Sequence, residues 1–123
     1  MSPPVTAPAP VAGRLARVQR LIARVRTEAA APASPQEHLQ ETRRQIDTLD
    51  HELVRLLAAR ASLARQALAA KQRLGKGVID SDRERSLLAV RRQWGRARGL
   101  EESAVTAIFS AVIAFSRAVQ GAR

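Results

Sequence analysis

Arg60 and Lys71 stand eleven residues apart. On a helix rising about 1.5 Å per residue they share an azimuth to within about 20° and lie about 16 Å apart along the axis. Two long cationic side chains at that separation can grip one small anion between them. They belong to a longer pattern. Leu39, Arg43, Ile46, Asp50, Leu53, Leu57, Arg60, Ala64, Ala67, Lys71 and Leu74 follow alternating steps of four and three, the spacing of one continuous helical seam. A buried charge costs several kcal/mol unless it is paired, so charged seam residues are either ion-pair partners or the lining of a site for a charged ligand. Asp50 can neutralise one cation, but it is about 32 Å from Lys71 along the same helix. Arg43 is about 42 Å from Lys71, so if it serves the same site it must come from a second, antiparallel copy of the chain.

The seam requires a helix over residues 39 to 74, about 54 Å long, whereas a globule of residues 39 to 123 has a radius of gyration of about 12 Å. Such a rod needs a partner chain. Ser34 followed by Pro35 and Glu37 makes a helix start, and Gly75 and Gly77 supply the stop. A second helix begins near Asp80, where Ser81-x-x-Glu84 reads as a capping box, and runs through Leu87, Leu88, Val90 and Trp94 to Gly99. Trp94 reads as a packing residue. Glu101 and Glu102 suit the positive end of a third helix, whose Val105, Ile108, Phe109, Val112, Ile113 and Phe115 are apolar up to Gln120. Ser116 and Gln120 are an i, i+4 pair and share one face.

Ahead of these, residues 1 to 10 hold four of the six prolines and read as disordered. Val11, Leu15, Val18, Ile22 and Val25 then recur at helical spacing among five arginines. This describes a short basic amphipathic helix, lying on the domain or offered to a partner protein or an acidic surface. Residues 29 to 36 form a linker. The expected organisation is therefore an extension over residues 1 to 38 and a helical domain over residues 39 to 123.

Composition narrows the function. The 21 basic and 11 acidic residues give a formal charge of +10, most of it from residue 39 onward, which favours anionic partners. Nucleic acid is the obvious candidate, but the aromatics Trp94, Phe109 and Phe115 form no stacking platform and no zinc-finger spacing occurs, and a small dianionic metabolite fits equally well. No cysteine is present, which removes disulfides and thiolate metal sites and makes a reducing cytoplasm the default. His38 and His51 are not spaced as metal ligands. No run of 18 apolar residues exists, so no membrane span is expected.

Three helices, the first very long with cations on its inner seam, and a short loop leading to Asp-x-x-Arg-Glu resemble the all-α (type II) chorismate mutase family. The opening signature reads Arg43-Arg44-Gln45-Ile46-Asp47-Thr48-Leu49-Asp50, continues as Leu56-Leu57-Ala58-Ala59-Arg60, and is followed by Lys71 and by Val78-Ile79-Asp80-Ser81-Asp82-Arg83-Glu84. Ile108-Phe109 and Ser116-Arg117-Ala118-Val119-Gln120 close it. The resemblance implies an all-α fold, one long helix and two shorter ones forming an intertwined homodimer, with the N-terminal helix as an addition. It implies the Claisen rearrangement of chorismate to prephenate without a cofactor. Arg60 and the Arg43 of a second copy resemble carboxylate clamps, Lys71 and Gln120 the donors to the ether oxygen. Glu84, with the backbone at Asp80, resembles the group that holds the ring hydroxyl. Arg83 and Ser116 resemble supporting members near a carboxylate.

Alternatives keep the fold and change the reaction. An isochorismate-pyruvate lyase is disfavoured by the acidic residue Glu84, whereas a 4-amino-4-deoxychorismate mutase is harder to separate, because Glu84 can hold an amine as readily as a hydroxyl. A non-enzymatic basic helical dimer that binds nucleic acid or a protein is the reading from another class. Residues 1 to 38 lie outside the resemblance and leave open a docking partner for the first helix.

Overall fold

The computed structural model describes residues 11–27 and 34–121. The disorder expected for residues 1 to 10, and residues 28–33 with most of the expected linker, lie outside the described residues. Four α-helices follow one another: α1 Val11–Thr27, α2 Pro35–Arg73, α3 Ser81–Arg96 and α4 Glu102–Val119. No strand occurs among the described residues, so the all-α expectation holds. The chain divides into two compact units, Met1–Leu56 and Leu57–Arg123, with the border inside α2.

Local chemistry sets the helix ends. Ser34 Oγ accepts the Glu37 N–H at 3.1 Å, which satisfies one of the free donors at the start of α2. At the other end the Lys76 N–H returns to the Lys71 carbonyl at 2.8 Å, with Gly75 in the left-handed region at φ 68. That is the Schellman arrangement, and Gly75 accepts it without steric cost. The same device closes α3, where the Leu100 N–H reaches the Gly95 carbonyl at 2.9 Å across Gly99. One expectation needs correction. The capping residue of α3 is Asp80, whose Oδ1 accepts the Arg83 N–H at 3.0 Å, and not Ser81. The Glu84 N–H that a Ser81 cap would need donates to the Asp80 carbonyl at 3.0 Å, and the Glu84 side chain turns to Arg117.

In the first unit α1 lies against the early part of α2. Arg17 Nη1 contacts Glu52 Oε1 at 3.4 Å and Arg55 Nη1 reaches the same oxygen at 3.2 Å. Glu52 is buried and is charge-balanced by these two guanidiniums. On the same unit the apolar seam residues Leu39, Ile46 and Leu53 remain 48%, 50% and 55% exposed, so α1 does not cover the seam.

In the second unit α3 and α4 run antiparallel. Gly95 near the end of α3 meets Val105 near the start of α4, and Glu84 at the start of α3 meets Arg117 at the end of α4. Ala61, Leu87 and Val105, one from each helix, are its buried apolar residues. Among the described helices, α4 alone is long and apolar enough, by length and composition, to cross a membrane. Its last turns are nevertheless bonded to the other helices, Ser116 to Arg60 of α2 and Arg117 to Glu84 of α3, which gives α4 the role of a wall in this unit.

Candidate active site

The second unit contains a cavity of about 350 Å³ bounded by α2, α3 and α4 and by the loop that carries Val78. Arg60, Ala64, Ala67 and Lys71 all line it, so this part of the seam faces one space, as steps of four and three require. Alanine at the two central positions leaves room between the cations. Five cations, Arg60, Lys71, Arg83, Arg91 and Arg117, surround the cavity against two carboxylates, Asp80 and Glu84. Both carboxylates are engaged. Asp80 caps α3, and Glu84 is held by Arg117. Among the described residues, Arg60, Lys71, Arg83 and Arg91 form no ion pair with a carboxylate. The cavity is thus a positive enclosure built for an anion.

Each polar side chain is aimed by a neighbour. Arg60 Nη1 donates to Ser116 Oγ, and Ser116 in turn donates to the Val112 carbonyl at 3.1 Å. The serine hydroxyl has spent its one proton on its own helix, so it presents a lone pair to Arg60 and fixes the guanidinium. Burial, and after it the Arg83 charge, lower the Arg60 pKa from its ordinary value. Arginine stays charged at neutral pH regardless, and an anion in the cavity would offset both penalties. Lys71 Nζ donates to the Val78 carbonyl at 2.9 Å, which anchors the ammonium and leaves two of its three N–H donors for a ligand. Gln120 caps the end of α4, and its Nε2 donates to the Ala64 carbonyl at 2.8 Å. That bond fixes the amide orientation with the nitrogen toward α2, and Gln120 lines the same cavity as Lys71.

Seven of the eight expected site residues therefore meet at one cavity: Arg60, Lys71, Asp80, Arg83, Glu84, Ser116 and Gln120. Arg43 is exposed, belongs to the first unit and is not among the lining side chains. Two charged lining residues were not expected as site residues. Arg117 forms the fork on Glu84. Arg91, one turn beyond Leu87, places its guanidinium 4.5 Å from the centre of the Trp94 ring and 6.0 Å from that of Phe109. Its Nε is buried without a hydrogen-bond partner. The pKa of Arg91 is lowered by burial first, then by Arg83 and Arg60. Among the described residues no cluster of histidine, aspartate and glutamate is arranged to hold a metal.

Comparison with known proteins agrees with this geometry. The profile of the family described as chorismate mutase type II matches residues 42–121, a stretch that contains every expected site residue. A curated chorismate mutase from Methanocaldococcus jannaschii is 31% identical over 84 residues, covering 68% of this chain and 85% of that protein. No solved structure matches the chain. With the profile spanning most of the sequence and the cationic cavity assembled from its helices, the chain belongs to the type II chorismate mutase family.

Proposed function

We propose that the cavity in the second unit binds chorismate as a dianion and converts it to prephenate by conformational clamping and electrostatic stabilisation of the ether oxygen. The observation that carries this is the convergence of Arg60, Lys71 and Gln120, from α2 and the end of α4, on one positive space. The reaction is intramolecular. The ether C–O bond breaks as a C–C bond forms between the enolpyruvyl arm and the ring, with no proton leaving and no covalent intermediate. Arg60, fixed by Ser116, meets one carboxylate as a planar fork, and Arg83 supports the bound carboxylates. Holding the arm over the ring removes the entropic part of the barrier. Lys71 and Gln120 donate to the ether oxygen as negative charge grows there, each such donor being worth roughly 3 to 4 kcal/mol by analogy with oxyanion holes. Glu84 and the backbone at Asp80 receive the ring hydroxyl.

The domain runs over residues 39 to 123 and acts as a homodimer, in which Arg43 of a second copy completes the site of the first. The exposed apolar seam residues Leu39, Ile46 and Leu53 support that reading, because a row of half-exposed large apolar side chains favours a protein partner. A chain without cysteine suits a reducing cytoplasm, and the extension over residues 1 to 38 offers a docking segment for a second protein. The test of the central claim is an ultraviolet assay of chorismate loss with the product identified. Prephenate as the product supports it. Pyruvate release would favour lyase chemistry, and no turnover, together with an equal salt-dependent contribution to nucleic-acid binding from Lys71 and any surface lysine, would favour the non-enzymatic dimer.

A further inference from the structure

The carboxylate expected to meet the ring substituent is already engaged. Arg117 Nε donates to Glu84 Oε2 at 3.1 Å and Nη2 donates to the same oxygen at 2.6 Å and also to Oε1. This is a forked guanidinium–carboxylate pair, with the glutamate side chain 20% exposed and the arginine 40%. Four other cations line the cavity, so a fifth adds little to the attraction of a dianion. What Arg117 changes is the local charge of Glu84. A lone carboxylate attracts an ammonium more strongly than a hydroxyl. Arg117 fills three of the about four acceptor sites of the Glu84 carboxylate and leaves one, on Oε1, which can still accept an O–H. The carboxylate so paired has little net charge left for an ammonium, which would also meet the Arg117 charge directly.

We propose that Arg117 is a positioning residue that sets the site for a neutral hydroxyl on the substrate ring and against an ammonium at the same carbon, selecting chorismate over 4-amino-4-deoxychorismate. This rests on the reading of the cavity as a chorismate site. A clasp that merely tied α4 to α3 would affect both substrates alike.

The experiment compares kcat/KM for the two substrates, at one pH and ionic strength, in the full-length protein and in Arg117→Met and Glu84→Gln. Methionine keeps an unbranched stem without the charge, and glutamine keeps the shape of Glu84. The wild-type protein is expected to prefer the hydroxyl substrate. Arg117→Met is expected to move the ratio of the two constants toward the amine by about tenfold or more, the effect of about 1.4 kcal/mol. Glu84→Gln, which leaves the Arg117 charge unbalanced, is expected to move the ratio the opposite way. These opposite movements do not arise from loss of stability, and Arg117→Gln, which also removes the charge, decides the matter if Arg117→Met does not fold. An unchanged ratio in the Arg117 variants, or a wild-type preference for the amine, overturns the inference while leaving the mutase reading intact if chorismate is still turned over. A wild-type protein that converts neither substrate removes both.

Discussion

Gln120 presents an amide whose nitrogen is oriented by the Ala64 carbonyl, and an amide donates a hydrogen bond at any pH. A glutamate there must be protonated to do the same. Gln120→Glu is therefore expected to lose about 100-fold or more in kcat at neutral pH, to recover as pH falls, and to shift the optimum toward acid. A kcat profile against pH that matches the wild type would remove Gln120 from the ether-oxygen role. Arg91 supports a second prediction. Its guanidinium lies over Trp94, the single tryptophan of the chain, and shares the cavity with Arg60. An anion bound there changes the charge felt by the indole, so substrate-analogue binding is expected to alter tryptophan fluorescence. Arg91→Met should blunt that response and weaken binding about tenfold, in line with a cation contact of roughly 1 to 2 kcal/mol. An undiminished response in the variant would place Arg91 in packing alone. Sequence does not separate Arg91 from the adjacent Arg92. They differ in which way they face on α3, and that is fixed by contact with α4.

The helices bring these side chains together only because they approach closely where they need to. A Cβ built on Gly95 falls 2.5 Å from Val105 Cγ2, and Val105 is a buried β-branched residue with little freedom to yield. Gly95→Ala is expected to lower stability by about 1 to 3 kcal/mol as an overpacking change, read as a fall in the midpoint of chemical or thermal unfolding. Gly13 in α1 makes the natural control. A Cβ there meets nothing within 4 Å, so Gly13→Ala should be neutral or stabilising by up to about 1 kcal/mol through helix propensity alone. Equal losses in the two variants would contradict the tight α3–α4 approach. Helical periodicity carries no warning of Gly95, because a glycine inside a helical pattern reads only as a weak position until a second helix is known to touch it. The capping box was misread for a related reason. Asp80 and Ser81 are both good caps, and only the observed backbone shows that Asp80 holds the Arg83 N–H.

At the scale of the whole molecule the open matter is the origin of Arg43. If the protein is the proposed intertwined homodimer, each site takes Arg60 from one chain and Arg43 from the other. Arg43→Ala and Arg60→Ala would each be nearly inactive alone. If the two are unfolded together, refolded and mixed in equal amounts, half of the dimers are mixed, and each of these holds one intact site. About a quarter of wild-type activity should then return. No recovery in a mixture shown to exchange subunits would mean that both arginines act within one chain, and an active Arg43→Ala protein before mixing would mean that Arg43 does not act at all. The α1 helix bears on a different surface, since its Arg17 is occupied by buried Glu52. The seam residues that a second copy would cover are the ones left exposed.

The sequence by itself determined the helices, their glycine stops, the cationic seam and seven of the nine polar side chains that line the cavity. Each of these follows from spacing along one rod, or from a motif whose residues carry the same chemistry wherever they occur. Tertiary structure alone decided how those side chains are paired: Ser116 with Arg60, Gln120 with the Ala64 carbonyl, Arg117 with Glu84, and Arg91 stacked on Trp94. The first three join residues 33 or 56 positions apart, and no local periodicity reports on such a contact. Arg91 and Trp94 are near neighbours, but their placement beside Phe109 and the cavity depends on how α3 packs against α4. Pairing depends on which faces of two helices meet and how closely, and that is fixed by side-chain volume at the contact.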